Sequence, residues 1–133
     1  MLLCLMAWMQ IFLMVVDFSI DEFLGGKLKI KQPKKGYRAG IDPVLLAASV
    51  NASKGDNILE LGCGVGVASL CLAKRVAGLN IYGVEIQSDY AALATENSQL
   101  NSIDLNVVSA DIGRLPNSVK QIQFDHVMAN PPY

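Results

Sequence analysis

The sequence predicts an α/β fold, a parallel β-sheet with helices packed on its faces. Three observations predict it. From residue 57 onward, short apolar runs alternate with longer stretches of helical character, which is the pattern of βαβ units. The first of those runs enters a glycine-rich turn that opens a helix. Each following run ends at an acid or an amide, at the carboxyl end of a strand where parallel sheets bind ligands.

The elements follow in order. Residues 1–16, MLLCLMAWMQIFLMVV, form an apolar leader whose strongly polar side chain is Gln10. As a helix it spans ~24 Å, short of a ~30 Å hydrocarbon core. It lacks a basic flank and a clear cleavage site, so it is a poor signal peptide. It reads as a helix packed on the body or an atypical start, and membrane contact is disfavoured. Residues 17–41 form a basic strand-and-loop segment. Within it, Asp17–Leu24 reads as a connector and Gly25-Gly26 as a turn. Lys27–Lys31 alternates strictly, a strand with Leu28 and Ile30 on one face and three lysines on the other. Asp42 reads as an N-cap with Pro43 at the first helical position, and the helix runs through Val50.

The remainder, residues 42–133, holds the main domain. Asn57–Leu61 is a buried strand and Gly66–Val76 a helix. Asn80–Glu85 is the next strand. Ser88 caps a helix running to about Leu100. Leu105–Ala110 and Phe124–Ala129 complete four strands.

Composition narrows the function. The 133 residues suffice for one domain with a modest core. The net charge of −1 announces no polyanionic partner. Its distribution is more telling, because six of the 11 Lys and Arg lie in Lys27–Arg38, a stretch without an acid. With three cysteines, no CxxC and a single His, a disulfide framework and a zinc site are both disfavoured. That usage fits a reducing cytoplasm.

The chemistry concentrates at the strand ends. Glu60-Leu61-Gly62-Cys63-Gly64-Val65-Gly66 follows a strand and opens a helix. Its glycines permit a tight turn and close approach of a ligand to the backbone. No Lys-Ser/Thr follows, so it is not a P-loop. Cys63 reads as a small turn residue rather than a nucleophile. Glu85 ends the next strand, 23 residues after Gly62. An acid there accepts from both hydroxyls of a ribose; the alternative is a solvated strand end. Asp111 can accept from an adenine amino group, with Ile86 and Ile112 sandwiching the ring, or it can be a simple turn former. Asn130-Pro131-Pro132-Tyr133 is a stiff corner. Its prolines remove two donors and fix φ near −65°, and Asn130 is pushed out of the α region. The corner aims an amide, two carbonyls and a ring at a volume suited to a flat, amine-bearing group.

ELGCGVG, Glu85, Asp111 and NPPY, in this order, resemble the class I S-adenosylmethionine-dependent methyltransferases of the amino-methylating group. The resemblance covers about residues 21–133. It implies a Rossmann-like parallel sheet with flanking helices, of which this chain holds the first four of seven strands. It implies S-adenosyl-L-methionine held by Glu60, Gly62, Cys63, Gly64, Gly66, Glu85, Ile86, Asp111 and Ile112. It makes Asn130, Pro131, Pro132 and Tyr133 the catalytic corner. If the Asn130 oxygen and the Pro131 carbonyl accept the two hydrogens of an amine, its lone pair turns toward the sulfonium methyl. Tyr133 can stack on the base, and a base within structured RNA must flip out to reach it.

NPPY alone leaves adenine-N6, guanine-N2 and glutamine-N5 acceptors open. Phe23–Asp42 and Leu45–Ala48 resemble the bacterial valine-tRNA adenine-N6 methyltransferase group. That resemblance implies Gln32, Tyr37 and Arg38 near the cofactor pocket and tRNA as the partner. The acidic segment usual in release-factor glutamine methyltransferases is missing. The alternatives are a release-factor glutamine or rRNA guanine-N2 methyltransferase. The sheet of the group continues beyond NPPY, so a truncated, inactive cofactor-binding fragment is a further expectation. A module completed by a partner chain or a dimer over the last strand's edge is another.

Overall fold

The computed structural model describes residues 17–132. The apolar leader and Tyr133 lie outside the described residues. The chain opens with an antiparallel hairpin, β1 (Phe18–Phe23) and β2 (Leu28–Pro33). The connector expected over Asp17–Leu24 is therefore a strand. FSIDEF lacks clean alternation, and its pairing partner supplies the order, with Phe18 opposite Pro33 and Phe23 opposite Leu28. Leu24, Gly25 and Gly26 take positive φ at the turn. Leu28, Ile30 and Gln32 of β2 are buried, which extends the expected alternation by one more inward position.

Helix α1 (Asp42–Ser49) follows the loop after β2. Its N-cap is Ile41 rather than Asp42. The Ile41 carbonyl accepts from Leu45 N–H at 3.0 Å, so Asp42 is the first helical residue. Its charge still complements the helix dipole there. Arg75 donates from Nη2 to the carbonyls of Ala47 (2.9 Å) and Val50 at the other end of α1, satisfying groups that a helix leaves unpaired.

Four parallel strands form the main sheet: β3 (Asn57–Leu61), β4 (Asn80–Glu85), β5 (Asn106–Ser109) and β6 (His126–Ala129). β3 and β4 match the expected bounds, whereas β5 and β6 are shorter than expected. Between them lie α2 (Val67–Arg75) and α3 (Ser88–Leu100). Gly66 and Gln87 are their N-caps, so Ser88 begins α3 rather than capping it. A 3₁₀ turn (Ile112–Arg114) and the four-residue helix α4 (Asn117–Lys120) precede β6.

The spatial order is β5-β4-β3-β6. The chain steps outward from β3 to β5, then returns to the other side of β3. The order thus reverses at β3, and the crevice at such a reversal is where open α/β sheets bind ligands.

One core lies between the sheet, α2 and the hairpin, with Leu28, Ile30, Ile58, Leu70, Leu72 and Ile81 at 0–1% exposure. The run VASLCL of α2 is wholly buried, as an all-round apolar helix must be. A smaller core on the opposite face joins Leu59, Val84 and Val119. There Tyr82 and Phe124 meet edge to face at 5.7 Å. Among the described residues, no helix is long and apolar enough to cross a membrane.

Helix α3 is fastened to β2 by side chains. Asn97 Oδ1 accepts from Lys31 N–H at 2.7 Å, and its Nδ2 donates to the Lys31 carbonyl at 3.0 Å. One turn later Asn101 repeats this with Lys29, at 2.9 and 2.8 Å. The ~6 Å advance of four helical residues matches the ~6.8 Å repeat of two strand residues, so the two carboxamides stand in for a neighbouring strand.

Candidate active site

The glycine turn leaves β3 and the NPPY corner leaves β6, so the two flank the crevice where strand order reverses. Tyr37, Glu60, Gly62, Cys63, Gly64 and Asn130 line one cleft there, with Pro43 and Val67 beside them. Its enclosed volume is about 40 Å³, room for one or two waters. Anything as large as a nucleoside must lie across the open face.

The turn is shaped by its neighbours. The N–H groups of Gly62 and Cys63 both donate to the Val84 carbonyl, at 2.8 and 3.0 Å. Gly62 and Gly64 have φ of 70° and 55°, and a methyl at either would meet nothing within 4 Å. Open space therefore lies over both. Gly66 serves packing instead, since a methyl there would stand 3.3 Å from Leu105 and 3.5 Å from Ala94 of α3.

Cys63 is buried, and Gly83 of β4 makes room for it. A Cβ on Gly83 would come within 2.8 Å of Cys63 Sγ. Burial pushes this thiol far above its ordinary value, helped by the nearby charges of Glu60 and Glu85. That environment suits a packed turn residue and opposes a thiolate nucleophile. Burial likewise raises the Cys71 thiol to about 11.

Two carboxylates sit beneath the turn. Glu60 is buried, and its Oε2 accepts from Ser69 N–H at 3.1 Å and from the Ser69 hydroxyl. Burial raises its pKa to about 7, against the lowering effect of Ser69 and with a further upward push from Glu85. Glu85 is also buried at the end of β4. Its Oε2 accepts from Gly64 N–H at 2.8 Å and its Oε1 from Gln87 N–H at 3.0 Å. Each oxygen keeps a second lone pair for another donor.

Beyond the cleft, Ile86 follows β4 and is 65% exposed. Ile112 stands at 57% exposure after β5, the strand paired with β4. Asp111 is exposed, and its Oδ1 accepts from Gly113 N–H at 2.8 Å, which caps the 3₁₀ turn. The turn-forming alternative for Asp111 thus has a bond behind it. Pro131 and Pro132 are exposed beyond Asn130.

The loop before α1 enters from the opposite side. Tyr37 reaches the cleft, and its hydroxyl lies 3.4 Å from Asn130 Nδ2. Arg38 and Gln32 do different work. Arg38 donates to the Pro33 carbonyl at 2.8 Å and pairs with Asp21 at 2.6 Å. Buried Gln32 donates to Asp21 at 2.8 Å and accepts from Ala39 N–H at 2.8 Å. Both hold the loop. Three of the six cations of Lys27–Arg38 are paired within the chain: Lys31 with Glu96, Lys34 with Asp17 and Arg38 with Asp21. Lys27, Lys29 and Lys35 form no ion pair among the described residues.

Sequence reasoning missed Ser69, Gly83 and Asn97. Asn97 Nδ2 also donates to the Val65 carbonyl of the glycine turn at 3.0 Å. Its sequence signal is faint, an asparagine in a helix four residues before another.

Comparison with known proteins agrees with this geometry. The methyltransferase small domain model matches residues 39–133. The chain is 33% identical over 118 residues to the Haemophilus influenzae tRNA1(Val) (adenine(37)-N6)-methyltransferase, covering 86% of this chain and 50% of that protein. It is 31% identical over 106 residues to a putative protein N5-glutamine methyltransferase of Methanocaldococcus jannaschii, covering 80% and 51%. The chain thus spans about half the length of these curated relatives. A solved structure of a T. thermophilus 16S rRNA N2 guanine methyltransferase in complex with AdoMet and guanosine shares the fold, with TM-score 0.67 and 20% identity, covering 88% of this chain and 33% of that one. The chain belongs to the methyltransferase small domain family, and its fold is that of the S-adenosylmethionine-dependent methyltransferases.

Proposed function

We propose that the chain carries the cofactor-binding and amine-holding half of a methyltransferase that modifies adenine N6 in tRNA. The observation that carries this reading is the shared cleft: Asn130 and the glycine turn face each other across the β3–β6 crevice.

The residues fit an adenosyl cofactor. Open space over Gly62 and Gly64 admits the nucleoside to the backbone. Glu85 retains lone pairs for a ribose, and exposed Ile86 and Ile112 offer apolar contact to a ring. Asp111 offers the adenine amino group its second carboxylate oxygen. When bound, S-adenosylmethionine supplies a methyl group already electrophilic through its sulfonium. The chain's task is then placement rather than strong base catalysis, and placement is worth up to ~7–11 kcal/mol. Asn130 Oδ1 and the Pro131 carbonyl accept the two hydrogens of the exocyclic amine. That draws its nitrogen toward sp³ and aims its lone pair. Tyr133 stacks on the base.

Adenine in tRNA is supported by the relative from H. influenzae and by the segment Phe23–Ala48. Lys27, Lys29 and Lys35 remain available for phosphates. The name of the M. jannaschii relative supports a second reading, a glutamine side-chain amide. Both acceptors present an NH₂ group to the same corner.

The test is methyl transfer from labelled S-adenosylmethionine to unmodified tRNA and, separately, to a release factor. Labelling of tRNA alone supports the first reading, and labelling of the release factor alone sinks it. Asn130→Ala should abolish transfer and leave cofactor affinity nearly intact. Loss of cofactor affinity instead would remove Asn130 from the acceptor side.

A further inference from the structure

We propose that Ser69 is a positioning residue of the cofactor cleft: it pins one oxygen of Glu60 so that the other receives the α-ammonium of S-adenosylmethionine, and occupying that place expels a proton from Glu60 near neutral pH. The proposal rests on the reading of this cleft as the cofactor site.

Glu60 is 2% exposed and Ser69 is fully buried. Ser69 stands in the first turn of α2, where backbone N–H groups have no partner within the helix. Its N–H donates to Glu60 Oε2 at 3.1 Å, and its hydroxyl bonds the same oxygen. A backbone N–H only donates, so Oε2 is fixed as an acceptor. With both bonds on Oε2, Oε1 accepts none from the described residues and is not sealed from solvent. Glu60 lines the cleft beside Gly62 and Gly64. Oε1 is therefore the acceptor it offers there.

No base answers this carboxylate. The residues lining the cleft include no Lys, Arg or His. The titratable groups around Glu60 are Glu85 at the end of β4, Cys63 of the glycine turn, Cys71 of α2 and Tyr37 across the cleft. Each is neutral or negative. Opposite Glu60 in the sheet stand Gly83 of β4 and Met128 of β6, both uncharged. A buried carboxylate without a counter-charge is costly, and burial raises the Glu60 pKa to about 7. Its proton belongs on Oε1, because Oε2 already accepts twice. The missing partner is a cation with N–H groups to donate. An ammonium has three, whereas a sulfonium has none. The enclosed part of the cleft, about 40 Å³, takes a group of ammonium size. Entry of that group sets N–H against the Oε1–H of protonated Glu60. The O–H bond breaks, the proton passes to solvent, and the ammonium donates to the freed oxygen.

Calorimetric titration of the full chain, in buffers of different ionisation heat, counts the protons released on binding. At about pH 6.5 the amine of the ligand is almost fully charged, while Glu60 is mostly protonated. S-adenosylmethionine should then release roughly 0.5–0.75 of a proton. S-adenosylhomocysteine keeps the ammonium and lacks the sulfonium charge, and should release as much. Methylthioadenosine lacks the ammonium and should release none. Ser69→Ala removes the hydroxyl bond that favours the ionised form. It should weaken S-adenosylmethionine binding roughly 5- to 10-fold at about pH 6.5 and less than about twofold at about pH 8.5. The ligand's own amine titrates alike against both proteins and cancels from the ratio. An equal loss at both pH values is what a merely structural role produces, and it overturns the proposal. Binding of S-adenosylmethionine without proton release, or equal release by methylthioadenosine, overturns it too and leaves the functional reading standing. Those two outcomes are read on the parent protein and need no variant to fold. If none of the three ligands binds, the reading of the cleft falls and the proposal with it.

Discussion

The carboxylate of Glu85 accepts a hydrogen bond from the backbone N–H of Gly64 at 2.8 Å. The strand-end acid and the glycine turn are therefore one unit before any ligand arrives. A second bond, from Gln87 N–H to the other oxygen, ties the same carboxylate to the start of α3. Charge-assisted bonds of this kind contribute ~1.5–3 kcal/mol each.

Glu85→Ala should thus weaken S-adenosylmethionine binding roughly 10- to 100-fold and lower stability by about 2–4 kcal/mol. Calorimetric titration and urea unfolding check the two effects separately. A change that affects binding but not unfolding would mean the bonds to Gly64 and Gln87 do not order the turn.

Glu60 predicts a pH effect. Its folded pKa of about 7 lies above the ordinary 4.5. Between these values the folded state binds the extra proton, so stability falls as pH rises from about 4.5 to 7. The loss approaches about 3 kcal/mol for a shift of this size. Glu60→Gln should flatten the slope of unfolding free energy against pH in that window. An unchanged slope would show that Glu60 is ionised in the folded protein throughout the window.

Gly83 and Cys63 should be coupled. Gly83→Ala drives a methyl against Cys63 Sγ and should cost about 1–3 kcal/mol. Cys63→Ala removes the Sγ at 2.8 Å but keeps the Cβ at 3.0 Å, so the double variant should recover part of the loss. Denaturant midpoints of the three variants give the coupling. Simple additivity would place the strain elsewhere.

Asn97→Ala should be among the more damaging single changes, at about 2–4 kcal/mol. It strands the part-buried N–H and carbonyl of Lys31 and the buried carbonyl of Val65. Asn101→Ala, at a more exposed site, should cost less than half as much. Equal losses would mean that burial at Asn97 is not what matters.

The bounds of β3 and β4 were legible because both are short apolar runs closed by turn residues. The glycine turn and the NPPY corner were legible because few backbones tolerate such residues. β1 was not, since FSIDEF has no period of its own and orders against β2. Helix α4 is four residues long and carries little pattern. The ion pairs of the basic stretch, such as Lys31 with Glu96, join residues far apart in sequence, so the run looked freer of partners than it is. Arg38 and Gln32 were expected near the cofactor because of a resemblance. Their bonds bind the loop, a role visible only once Asp21 is folded beside them.

The pairing of Asn97 and Asn101 with β2 carries one more consequence. In β2, the N–H and carbonyl of Lys29 and of Lys31 are directed to Asn101 and Asn97, on the edge away from β1. Left bare, that outward row would template another chain's strand. The two carboxamides occupy it, so α3 acts as an insulator that keeps a two-stranded ribbon from growing by recruitment.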